Sequence, residues 1–290
     1  MKFKSNVKVT QEAPVNFEDL MQDMDNVLNM ELEEAVEHLE DLTILEQNIS
    51  KYGVTEPVMH LVGGTLESWS IDISNKEACL EGIGDKLKEA GKKVWEMILK
   101  IFAKVRDYIK GFMSKFGKEK LVELEKEVKG EKVDLKEIKA GGLVPSKYID
   151  AICKVAASMD RNVKGAAEWD EYAPMLFERN QLGEISIDGK FFNESGDDTD
   201  LASKGYTNLE AMVHDNVKLA DSVELLEKVA DYCAKEAERQ LKASQSEYAM
   251  PINERLRREY TNLGRIVTNL AGICTRSIRT SNSICKKAGF

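Results

Sequence analysis

From Asp85 to Phe116 the chain repeats apolar residues at helical spacing for longer than anywhere else, and this run limits most strongly what it can fold into. Leu87, Val94, Ile98, Ile101, Val105, Ile109, Phe112 and Phe116 follow one another at steps of three, four or seven, with Trp95 and Phe102 beside the stripe. Between them stand Lys92, Lys93, Lys100, Lys104, Lys110 and Lys115. A period near 3.6 residues cannot be a strand, so this is a long basic amphipathic helix, which Gly117 closes. Its stripe needs cover, from other helices or from the headgroup region of a membrane.

The rest of the chain offers helices for that purpose. Upstream, Asn16 can cap a helix whose apolar positions include Phe17, Leu20, Met24, Leu39, Leu42 and Ile49; Tyr52-Gly53 and Pro57 end it. Downstream, Leu121, Leu124 and Val128 predict a short helix before Gly141-Gly142 and Pro145, and Tyr148, Ile152 and Val155 predict another. Ile185 and Ile187 before Asp188-Gly189, with Phe191-Phe192 after, read as a β-hairpin. Thr207 and Glu210 have the spacing of a capping box for a helix to about Gln245. After Pro251, Leu256, Tyr260, Leu263, Val267, Leu270 and Cys274 form a four-three stripe, so the last two helices pair antiparallel. The expected fold class is mainly α. It comprises an acidic N-terminal helical region (1–81), the basic amphipathic helix (82–120) and a C-terminal helical bundle (121–290) with one small hairpin near 184–193.

Charge divides the chain at the same place. Residues 1–81 hold 5 Lys and Arg against 17 Asp and Glu, a net −12, whereas 82–120 hold 11 against 5, a net +6. Without the first 81 residues the total of −10 becomes 36 against 34, or +2. A head of that sign steers the body away from anionic partners, although an acidic solvated domain carries the same charge.

Enzyme chemistry finds little material. None of the phosphate-loop, dinucleotide, zinc-protease, nucleophile-elbow or kinase signatures occurs, and no catalytic, cofactor-binding or metal-ligating set is assigned. His38, His60 and His214 are isolated, and the five cysteines are odd in number and never form a CxxC pair. No apolar run is long enough to span a bilayer, and the first residues lack the apolar core of a secretory signal. The expectation is a non-enzymatic protein made in a reducing cytoplasm, without cofactors.

The stretch Ala78-Cys79-Leu80-Glu81-Gly82-Ile83-Gly84-Asp85-Lys86-Leu87-Lys88, continuing into Val94-Trp95-Glu96, resembles the internal head proteins of large tailed bacteriophages. In that family an acidic propeptide ending in Glu precedes a Lys-rich amphipathic helix. The resemblance implies a precursor that joins the prohead core and is cut by the phage's prohead protease, here between Glu81 and Gly82 with Cys79 and Leu80 as the preceding recognition positions. Cys79 stands where leucine, isoleucine, alanine or serine is more usual. The location implied is the interior of the virion, among capsid or core proteins and packaged DNA, followed by delivery with the genome into the host cytoplasm and contact with a host protein.

Three readings of the helix follow. Its six lysines contact DNA backbone non-specifically; or its apolar face lies against a membrane through 82–120; or the stripe is the core of an ordinary bundle.

Overall fold

The computed structural model describes residues 83–136, 138, 141–164, 200–243 and 254–290, with scattered positions between 34 and 55 and at 175 and 179. Five helices fill these segments: α1 (Ile83–Phe116), α2 (Lys118–Glu127), α3 (Ser146–Asn162), α4 (Leu209–Ala243) and α5 (Glu254–Lys287). The chain is mainly helical, as its periodicity predicts. The hairpin near 184–193, the link at Met250-Pro251 and the start of the helix expected from Asn16 lie outside the described residues; the described positions of that helix, between 34 and 52, are helical.

Each helix end has a local cause. Between α1 and α2, Gly117 is the N-cap of α2, and a Cβ there would stand 2.5 Å from the carbonyl oxygen of Met113, so only glycine fits the junction without a shift. Lys120 reaches back to donate to the carbonyls of Ser114 (3.1 Å) and Lys115 (2.9 Å), two acceptors that the end of α1 leaves without helical partners. Pro145 precedes the first turn of α3, where a fixed φ suits helix entry. At α4 the sequence expectation needs correcting: the cap is Asn208, whose Oδ1 accepts the Ala211 amide at 2.6 Å, and not Thr207. Both residues suit the role, but only Asn208 lies directly before the first helical residue, Leu209, with its side chain within reach of the third.

α4 organises the bundle, and its neighbours can be placed by register. Arg106 of α1 pairs with Asp231 (3.6 Å), Lys110 with Glu227 (3.9 Å), Lys118 of α2 with Asp221 (2.7 Å) and Glu125 with His214 (2.8 Å). Partners descend α4 as they ascend α1 and α2, so these helices run antiparallel to α4. On α3 the sense is reversed: Ser146 meets Asp215 (2.8 Å), Asp150 meets Lys218 (3.5 Å), and Cys153 accepts a hydrogen bond from Ser222 (3.3 Å). The expected antiparallel pairing of α4 and α5 holds, since Ile284 and Cys285 near the end of α5 share a cluster with Leu209, Met212 and Val213 at the start of α4.

α5 lies deeper than a two-helix hairpin would place it. Tyr260 meets Trp95 and Phe102 of α1 edge-on, with ring centroids 5.9 and 6.5 Å apart, and Tyr108 bonds Thr275 at 2.8 Å. On another side the 141–145 loop docks on it: Thr280 donates to the Gly141 carbonyl (3.1 Å), and the Val144 amide donates to Ser277 Oγ (3.1 Å). The loop is fixed in turn by the 200–206 turn, where the buried Lys204 donates to the Leu143 carbonyl (3.0 Å) and Tyr206 to that of Val144 (2.6 Å). Gly142 has φ +76, a conformation other residues seldom adopt, and packs against the Arg276 side chain.

Candidate functional site

The strongest functional candidate in the sequence is the basic helix with the junction before it, and α1 shows where those residues go. Val94, Ile98, Ile101, Val105, Ile109 and Phe112 are all buried in the main core, with Phe116 packed against its edge and stacked on Phe112 at 5.1 Å. The Leu87 side chain lies outside the described residues. The stripe is thus covered by α4 and α5, and in the folded bundle these side chains face inward. Among the described residues no helix is long and apolar enough to cross one.

The lysines divide into two kinds. Lys100, Lys104 and Lys115 are exposed on α1, while Lys92 and Lys93 are half-buried. Lys110 is exposed as well, yet leans toward Glu227 of α4. Two cations that the sequence reading did not single out, Arg106 and Lys118, also turn to α4. The available signal was on the partner: Asp221, Glu224, Glu227 and Asp231 recur at helical spacing, an acidic row matched to the basic one. The Asp221 carboxylate raises the pKa of Lys118, chiefly by accepting its hydrogen bond. Asp231 is held below the usual carboxylate range, first by its hydrogen bond from Lys235 and also by the fields of Arg106 and Lys110. These groups are solvated, so each pair adds little stability; together they set the register of α1 on α4.

Cys79, Leu80, Glu81 and Gly82 lie outside the described residues, but α1 is helical from Ile83 onward. A break between Glu81 and Gly82 would therefore leave α1 whole, preceded by a single glycine. A different part of the acidic region is described: Leu45 is completely buried and Ile49 packs on the same core as α1, α3, α4 and α5. The change of sign at residue 81 is thus not a limit of the packing.

No side chains on the described surface combine into a reactive set. Burial pushes the thiols of Cys153, Cys233 and Cys274 up and that of Cys285 to about 11, so at neutral pH they are protonated and pack as small apolar groups. Among the described residues no group of His, Cys, Asp or Glu is placed to hold a metal ion. What this surface offers is charge. α1 presents cations to solvent over an apolar interior, and its neighbour α4 neutralises part of them.

Comparison with known proteins places the chain in a family. A family model described as phiKZ-like phage internal head proteins matches residues 12–247, a span that takes in most of the acidic region and residue 81 and ends just beyond α4. α5, the most deeply enclosed helix, follows the matched segment. No curated protein and no solved structure matches the chain. With most of its length covered by that one model, the chain belongs to the phiKZ-like phage internal head proteins.

Proposed function

We propose that this internal head protein is made as a precursor, enters the prohead core with its acidic region attached, and is cut between Glu81 and Gly82 by the phage's prohead protease, leaving the α1–α5 bundle among the packaged DNA. Its role is structural, with no cofactor. One coincidence carries the reading: the charge changes sign at residue 81, and α1 spans Ile83–Phe116, so one cut would separate the two charge regimes and leave α1 whole. Capsid or core proteins are its neighbours before DNA enters; ejection with the genome and contact with a host protein belong to the same proposal.

Intact-mass measurement on protein from mature particles tests it. A start at Gly82 is expected, and a chain uniformly starting at Met1 would remove the processing step. Removal of a −12 segment leaves a body of +2 whose exposed Lys100, Lys104 and Lys115 can approach phosphates. Purified protein freed of residues 1–81 should bind duplex DNA more tightly than the precursor, without sequence preference and with marked salt dependence. Each lysine that meets a phosphate should contribute about one to the slope of log affinity against log salt. Equal affinity of both forms at low salt would sink the electrostatic part.

A further inference from the structure

Leu45 is the feature that the proposed processing leaves unexplained. A lone helix cannot enclose its own side chain, yet Leu45 is 0 % exposed and belongs to the cluster built from α1, α3, α4 and α5. Ile49, one turn later, packs on that cluster as well, while Asp41, Ile44 and Tyr52 face solvent and Asn48 donates to the Ile44 carbonyl at 2.8 Å. The described positions from 41 to 52 thus form part of an amphipathic helix whose apolar side, Leu45 and Ile49, is seated in the bundle. Its surroundings favour the same seat: the region to residue 81 carries −12, and the next 39 residues carry +6.

We infer that the acidic region is held on the mature bundle by Leu45 and Ile49, so that cutting the chain at residue 81 severs it without releasing it. Release is a second step, and it uncovers an apolar seat on the bundle that the precursor keeps closed. This rests on the reading that the bond after Glu81 is the one cut. Severing the chain turns an intramolecular contact into a bimolecular one, so retention becomes dependent on concentration. It also becomes dependent on salt where the opposite charges contribute.

The test uses the full chain carrying a recognition sequence for a site-specific laboratory protease between Glu81 and Gly82. After complete cleavage, the acidic fragment is expected to co-elute with the 82–290 bundle on size exclusion and to separate on dilution. Leu45→Asp should free the fragment at once and raise binding of an apolar fluorescent dye to the bundle, whereas Ile44→Asp, at a half-exposed position, should do neither. If the uncut Leu45→Asp chain lacks cooperative unfolding, Leu45→Ala replaces it, with separation expected at a higher protein concentration than wild type. A wild-type fragment that elutes apart from the bundle at every concentration overturns the inference. So does a Leu45 variant that retains it as wild type does. Because the cut is engineered, the result does not depend on which bond the phage's protease chooses; virion protein starting at Met1 would defeat the processing reading alone.

Discussion

α1 and α5 are of equal length, 34 residues each, and share one core, but they are buried by opposite means. α1 commits one stripe of large side chains, including the fully buried Trp95, Phe102 and Phe112, and leaves lysines in water on its other side. α5 is enclosed on several sides and carries small or hydroxylated residues there: Ala271, Gly272, Cys274, Thr275, Ser277 and Ser281 are all buried. These short side chains share the buried surface of α5 with Leu263, Ile266, Ile273 and Ile278. Two of its hydroxyls cost little to bury because they find carbonyls nearby, Thr268 donating to Gly264 (2.8 Å) and Thr275 to Gly272 (3.1 Å), whereas the buried Ser281 hydroxyl has no hydrogen-bond partner among the described residues. A peripheral helix needs amphipathicity; an enclosed one can bury small and hydroxylated residues beside its large apolar ones.

If that contrast is right, the two helices fail in opposite directions. The largest effect should come from truncation on α1: Phe112→Ala empties a fully buried site and should cost about 3–5 kcal/mol, read from urea unfolding of the whole chain. On α5 enlargement is the damaging change. Ala271→Leu should cost about 1–3 kcal/mol by overpacking, and a variant as stable as wild type would break the contrast.

Smaller changes sharpen the comparison at the seam between the helices. Tyr108 and Thr275 share the hydrogen bond that joins α1 to α5, and Tyr108→Phe should cost about 1 kcal/mol with the fold intact. An unchanged midpoint would mean that this bond contributes nothing.

The smallest effect is the response to pH, which reports on the charged contacts around α4 and the 200–206 turn and leaves the uncharged seam of α1 and α5 unaffected. Asp231 and Asp200 have folded pKa values below their ordinary 3.8, Asp200 mainly through the Ser203 amide. A lowered carboxylate pKa stabilises the fold above the unfolded value, and that contribution is lost as pH falls through the folded value. Lys118 and Lys218, raised above 10.5 by Asp221 and Asp215, stabilise below that value and cease to do so as pH rises past their folded pKa. A Tm that is flat between these limits and falls modestly beyond each is expected. A marked drop already between pH 7 and 5 would assign the response to other groups.

The sequence made part of this fold legible, for reasons that particular residues show. α1 could be read because a helix with one wet side records its orientation in its own period, and Gly117 marked its end. α5 could be read only as a stripe through Tyr260, Leu263, Val267, Leu270 and Cys274, all of them buried; Ile266, Ile273 and Ile278, buried on its other sides, blur that period. The cap of α4 was misassigned by one residue because Thr207 and Asn208 are both good caps. Of the candidate site, the lysines were legible as a set, but their division between solvent and α4 depends on which acidic residues lie across the seam.

By itself the sequence determined the helical class, the placement of charge on either side of residue 81 and the family resemblance, because periodicity, composition and short motifs are local properties of the chain. Tertiary structure alone decided what covers the apolar stripe of α1, which cations Asp221, Glu227 and Asp231 receive, and that Leu45 from the acidic region is part of the common core. Those are contacts between residues far apart in the chain, and burial there is set by whichever surface folds against them.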